Sequence, residues 1–190
     1  KDLTNINSES LMQWMHEVGD SDRLFAESIL KSEKVVLGYF VYAEGDRSGD
    51  IDEKLTAQQM EMLDFSQYPI TQRFDKPGDE VPLRVMQSAG LSIPAFVDAA
   101  NSVGYVSFVA EVDGVVRWVP MVMQLGDYLF PPFSLQMLRE ATMLPLAVRI
   151  ASFGIDDLKL GETVFPTSQS GDYLINYYGP AFTFTHYTAS

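Results

Sequence analysis

The chain has no cysteine, which excludes disulfides, thiolate metal sites and cysteine nucleophiles. Histidine is scarce, with two in 190 residues. Positive charge is scarce too: 13 Lys and Arg stand against 26 Asp and Glu, a net charge of −13. Such a surface repels phosphate backbones and anionic membrane faces, so nucleic acid is not an expected partner. No apolar run reaches the roughly 18 residues of a membrane helix, and the N-terminus lacks a signal-peptide pattern. The Gly-rich phosphate loops Gly-x-x-x-x-Gly-Lys-Ser/Thr and Gly-x-Gly-x-x-Gly are missing, as is the Gly-x-Ser-x-Gly elbow of hydrolases. Standard nucleotide binding therefore has no support, and no cofactor is expected.

What remains is enough for a real core. The sequence is 46% hydrophobic and 12% aromatic, and its length suits one domain over residues 1–190. Thirteen glycines and ten prolines predict many turns rather than a helical bundle. The chain begins at Lys1 and ends at Ser190 in an extended-looking segment, so it reads as an excerpt of a longer protein.

Helical spacing of Leu11, Met12, Trp14, Met15 and Val18 predicts a first helix. A second, capped by Asp20 or Ser21, carries Leu24, Phe25, Ile29 and Leu30 inward. Residues 35–42 are almost wholly apolar and predict a strand buried on both faces. A short helix is expected over 54–62, and 64–88 shows no clean period. Ser92 and Pro94 open another helix that Gly104 is expected to close. Gly126-Asp127 is a tight turn, Ser134 starts a helix, and short strands follow to about residue 178. Helices alternate with strands early and strands dominate late, which gives an α/β or mixed α+β fold: a central mixed sheet with helical cover.

Residues 104–123 stand out. Apolar runs flank Asp113-Gly114, the pair that suits the positive φ angles of a tight β-hairpin. With a two-residue loop Val112 faces Val115 and Glu111 faces Val116. With a three-residue loop and Gly114 left-handed, the register moves by one. This hairpin is expected at the centre of the sheet.

Candidate residues follow. Arg117 lies in an otherwise apolar strand and needs a partner. Two readings stand: a structural ion pair with Glu111 or a more distant acid, or a fork offered to a ligand carboxylate or phosphate. Trp118 lines that same pocket or fills the core, and Tyr173, Tyr177 and Tyr178 divide in the same way. Asp113 is explained by turn chemistry alone. Asp46, Asp50, Asp52 and Glu53 offer hard oxygen ligands but do not follow a calcium-loop spacing, so a solvated acidic loop is expected. His16 and His186 are explained by a helix boundary and by strand packing. Ser28 and Lys31 match Ser-x-x-Lys, but the companion motifs are absent and an amphipathic helix accounts for them.

Gly104-Tyr-Val-Ser-Phe, followed by Glu111-Val-Asp-Gly-Val-Val-Arg-Trp-Val-Pro120, resembles the second class of CHASE domains. That family has a Gly-hydrophobic-Asn/Ser strand, then Asp-x-Asp-Gly-hydrophobic-x-Arg, then a hydrophobic-Pro-hydrophobic strand. Ser107, Asp113, Gly114, Arg117 and Pro120 stand in place, with Glu111 at the first acid. Asp22-Arg-Leu-Phe-Ala26 before Val35-Val-Leu37 is similar to the family's helix and following strand. Phe165-Pro-Thr167, Gly171, Leu174-Ile-Asn-Tyr177 and Gly179-Pro180 resemble a later segment, with gaps at 43–88 and 143–160.

The resemblance implies a non-enzymatic, extracytoplasmic sensor domain of a bacterial membrane receptor. Membrane segments would lie outside this chain, and a nucleotide cyclase, histidine kinase or Ser/Thr kinase would form the output. Its signal would be a small molecule or peptide that the family pattern does not name. The family's outer segments are expected to be missing at both ends, and a homodimer is one way to cover the edges this leaves. The competing reading is a secreted or periplasmic hydrolase or carbohydrate-binding domain whose tyrosines and acids line a cleft.

Overall fold

A computed structural model describes residues 20–42, 53–76, 78–108, 111–180 and 183–185, with the side chains of 53–56 outside that description. The first expected helix, His16, His186 and the acids Asp46, Asp50 and Asp52 lie outside the described residues.

Helix α1 (Ser21–Ser32) starts where the sequence predicts: Asp20 caps it by accepting the Arg23 amide at 3.0 Å. Only Ile29 is buried along it, and Phe25 meets Phe96 edge-on at 5.1 Å. Strand β1 (Val36–Tyr42) follows. The expectation of burial on both faces is corrected: Tyr39 is buried while its neighbour Phe40 is 63% exposed. The far end of β1 is thus buried on the Tyr39 face alone, with Phe40 and Tyr42 exposed.

Helix α2 is Glu53–Leu63. The unpatterned stretch after it holds a 3-10 turn, Asp64–Ser66, and strands β2 (Ile70–Arg73), β3 (Arg84–Val85) and β4 (Ser88–Gly90). These strands are two to four residues long, too short to show a period. Helix α3 (Pro94–Ala99) leads into β5 (Ser102–Tyr105), so Gly104 is a strand residue and not a helix stop. A Cβ on Gly104 would stand 2.5 Å from the Phe133 Cα, and this close approach requires glycine. Helix α4 (Phe133–Thr142) sits there, over β5 and β1.

Between them run β6 (Trp118–Pro120), β7 (Met123–Leu125) and β8 (Tyr128–Phe130). Strands β9 (Leu146–Ala151), β10 (Gly154–Leu160), β11 (Thr163–Val164) and β12 (Asp172–Leu174) complete the described set.

The fold is mixed α+β, with four small sheets among the described residues, ordered β4-β1-β5, β11-β10-β9-β2, β12-β6 and β3-β7-β8. The two arms expected to form the central hairpin part company. β5 pairs in parallel with β1, Val36 opposite Ser102, while β6 pairs antiparallel with β12. The two-residue hairpin of this region is instead β7–β8, where Leu125 faces Tyr128 across Gly126-Asp127. Gly126 at φ +57° takes the first turn position, as a type II′ turn requires.

Two apolar clusters carry the core. One gathers Val148, Ile150 and Leu158 from β9–β10 with Leu135 and Val122. The other gathers Tyr39, Val103, Tyr105 and Val97 around the β1 sheet. The β7–β8 hairpin feeds both, Leu129 into the first and Met123, Leu125 and Phe130 into the second. It therefore fixes the position of β6 just before it.

Candidate functional site

Strand β6 is held at its end by two buried phenols. Tyr105 donates to the Pro120 carbonyl at 2.8 Å, and Tyr68 donates to the Met121 carbonyl at 2.7 Å. Both phenols lie far above their ordinary pKa because burial penalises the phenolate, so they stay protonated donors. On the other side β12 runs antiparallel, Asp172 facing Pro120 and Leu174 facing Trp118.

Alternation along these strands divides the side chains. Val119 and Tyr173 pack on the first core cluster, Tyr173 edge-on to Phe165 at 6.2 Å. Trp118, Pro120, Asp172 and Leu174 take the opposite face. The β3–β7 pairing, with Arg84 opposite Met123, brings Arg84 alongside.

Arg84 and Asp172 then meet as a two-pronged pair, Nε to Oδ1 at 2.7 Å and Nη2 to Oδ2 at 2.9 Å. The Asp172 side chain is only 9% exposed, while that of Arg84 is 40% exposed. Hydrogen bonding to Asp172 holds the guanidinium even further above its already high pKa. Ser170 donates a further bond to Asp172 Oδ2 at 2.9 Å, and Ser168 Oγ accepts the Asp172 amide at 3.1 Å.

Asp172 closes a tight turn. Its carbonyl accepts the Ser168 amide at 2.8 Å, the Gly171 amide donates to the Ser168 carbonyl at 2.9 Å, and Gly171 has φ +84°. The same geometry recurs at residues 111–115. Glu111 N–H donates to the Val115 carbonyl at 3.0 Å, Gly114 N–H donates to the Glu111 carbonyl at 2.8 Å, and Gly114 has φ +79°. This is the three-residue loop of the two turn types the sequence permits.

Arg117 lies just before β6 and not in a buried strand; its side chain is about as exposed as that of Arg84. It reaches Glu111 at 2.5 Å and grips both Asp113 oxygens at 3.1 and 2.7 Å. Asp113 also accepts the Val115 amide at 3.0 Å. Chiefly through Arg117, the Asp113 carboxyl is held below its ordinary value of 3.8. Tyr177 donates to the Val116 carbonyl at 2.5 Å, and the Ile175 amide bonds the Arg117 carbonyl at 2.8 Å.

The two turns border one cleft of about 310 Å³. Glu111, Trp118 and Pro120 line it from one side, and Arg84, Ser168, Ser170 and Asp172 from the other. Of the residues selected from sequence, Glu111 and Trp118 meet here, and Arg117 stands behind Glu111. Asp113 and Gly114 shape the turn, while Tyr177 braces it from outside the cleft wall.

Sequence reasoning missed Arg84, Ser168, Ser170 and Asp172. The cluster Ser168-Gln-Ser-Gly-Asp172 carries a turn signal that marks the loop, but nothing local pairs it with Arg84, 88 residues away. Ser28 bonds the Leu24 carbonyl at 2.8 Å within α1, which leaves the Ser-x-x-Lys match as a helix surface. Tyr178 stacks edge-on with Phe184 at 6.1 Å. Among the described residues no group of three or more His, Asp or Glu is placed to hold a metal ion. No helix among them is long and apolar enough to cross a membrane.

The CHASE2 domain family model matches residues 4–190, so the chain belongs to the CHASE2 family, whose members are extracellular sensor domains of signalling receptors. No curated protein and no solved structure matches the chain.

Proposed function

We propose that this chain is the extracytoplasmic signal-input domain of a bacterial membrane receptor, with an adenylate or guanylate cyclase or a histidine kinase as output. The cleft between the two turns is its ligand site. The carrying observation is that β12, near the C-terminal end of the described chain, is fastened to the cleft by the Arg84–Asp172 pair and by the β6 ladder. A ligand that shifts either turn therefore shifts β12, and a ligand favouring one arrangement moves a two-state equilibrium by its differential affinity. Membership of a sensor family supports this non-enzymatic reading over a secreted hydrolase.

The test uses the full receptor in membranes. Trp118→Ala and Glu111→Gln alter the cleft wall without removing the buried pair. Output activity, as nucleotide cyclisation or phosphotransfer, is measured with and without inducing growth medium. The expected result is a folded receptor whose output no longer responds. A response equal to wild type in both variants would overturn the assignment of the cleft.

A further inference from the structure

The chemistry of the cleft wall also selects a class of ligand, given the reading of the cleft as the ligand site. Its charges are already matched within the protein. Arg84 is engaged by both oxygens of Asp172, and Glu111 by Arg117. An anion meets an Arg84 whose charge Asp172 already balances, in a chain of net charge −13. A cation meets a Glu111 whose charge Arg117 already balances, with the Arg84 guanidinium on the same wall. Neither charge sign gains much here.

Neutral hydrogen-bonding capacity is left over. Arg84 uses Nε and Nη2 on Asp172, and Nη1 has no hydrogen-bond partner among the described residues. Glu111 is held through Oε2, which leaves Oε1 as an acceptor at the wall. Ser168 and Ser170 form a hydroxyl pair at 2.9 Å whose lone pairs add further acceptors.

Against this polar rim stands one flat apolar surface. Trp118 is 41% exposed and is the sole aromatic lining the cleft among the described residues. It lies diagonally across the ladder from Asp172, on the same face. An aromatic plate ringed by a few placed donors and acceptors fixes both the plane and the rotation of a ligand.

We propose that the cleft binds a neutral polyhydroxylated ring, a monosaccharide or a cyclic polyol, with its C–H face on the Trp118 indole. Its hydroxyls accept from Arg84 Nη1 and donate to Glu111 Oε1 and the serine pair. The volume of about 310 Å³ admits one such ring with water.

The experiment exploits the tryptophan count. The chain has two tryptophans, so Trp14→Phe leaves Trp118 as the single reporter. Its fluorescence is titrated with glucose, galactose and myo-inositol, and with glucuronate and glucosamine as anionic and cationic counterparts. The expected result is a saturable change for at least one neutral ring, half-complete at a concentration about tenfold or more below either charged analogue. Calorimetry with the same ring then shows binding lost in Trp118→Leu and weakened in Ser170→Ala, both folded by circular dichroism.

Tighter binding of glucuronate or glucosamine overturns the proposal, as does the absence of any saturable change into the tens of millimolar. The receptor experiment above reads the cleft separately. Output that depends on Trp118, in a domain that ignores neutral rings, keeps the site and discards the ligand class.

Discussion

Two turns of the same backbone design meet at the cleft, residues 111–115 and 168–172. Each has a glycine at positive φ in its fourth position, the same pair of backbone hydrogen bonds, and an arginine gripping a carboxylate of the turn. They differ in how their arginine is supplied. Arg117 comes from the same loop, four residues after Asp113, and both of its acidic partners are about half exposed. Arg84 comes from a strand 88 residues away, and its partner Asp172 is buried. The first pair organises a loop that local sequence already specifies. The second joins β3, in the middle of the described chain, to β12 near its C-terminal end. An exposed pair is screened by water, whereas a buried carboxylate that loses its partner retains its desolvation cost. The turn with more ionic contacts is therefore the one that matters less for stability.

The largest effect is expected from breaking the buried pair. Arg84→Met leaves Asp172 enclosed with Ser170 as its remaining side-chain donor and lowers stability by about 3 kcal/mol, or roughly 6–12 °C in Tm for a chain of this size. That figure already allows for the partial exposure of Arg84. Adding Asp172→Leu removes the stranded carboxylate, and most of the lost stability returns. Thermal unfolding of the two variants checks this. If Arg84→Met melts within about a degree of wild type, β3 and β12 are not tied through this pair.

Ser170→Ala comes next. It removes one neutral donor to a carboxylate that keeps its arginine, so about 1 kcal/mol is expected, read as roughly 2–4 °C in Tm. A loss as large as that of Arg84→Met would show that the Ser170 hydrogen bond holds the turn as firmly as the arginine does.

The contrast between the turns also explains what the sequence discloses. Asp113-Gly114 announces a turn correctly, because turn chemistry is local, and Arg117 is close enough in sequence to be noticed beside it. Whether the arms of that turn pair with each other is not local. β5 pairs with β1 and β6 with β12, partners that lie far away along the chain, Ser102 opposite Val36 and Asp172 opposite Pro120, and leave no local signal. Helix α1 and its Asp20 cap, helix α4, and the Gly126-Asp127 hairpin were legible for the same reason as the turn. Strands β2, β3 and β4 were not, because two to four residues cannot display alternation and their partners are distant. Arg84 fell in that blind stretch, so half of the cleft was invisible. CHASE2 membership was legible through Asp113, Gly114, Arg117 and Pro120, which shape the turn and β6 but do not define the ligand.

Arg117→Met should be nearly silent in unfolding. Its guanidinium and both carboxylates are solvated, and the turn keeps its two backbone bonds and the Asp113-to-Val115 bond without it. A Tm within about one degree of wild type is expected. A drop comparable to Arg84→Met would make Arg117 the structural hub of the domain.

The finest distinction is in the titration of Asp113. Arg117 favours its charged form, so the folded pKa lies below the ordinary 3.8. A depressed folded value contributes stability that is complete above the unfolded value and fades as pH falls through the folded one. The window is thus acidic, below 3.8, and physiological pH leaves the contribution untouched. Carbon-detected NMR of the Asp113 side-chain carboxyl gives the midpoint directly. It should lie below the ordinary value in the native chain, rise in Arg117→Met, and rise in part with added salt, since the pair is exposed to screening. In Arg84→Met the midpoint should stay where it is, because that arginine serves the other turn. Movement of the Asp113 midpoint in Arg84→Met would show that the two turns are coupled across the cleft even without ligand, and the division between a local and a tethering arginine would then fail.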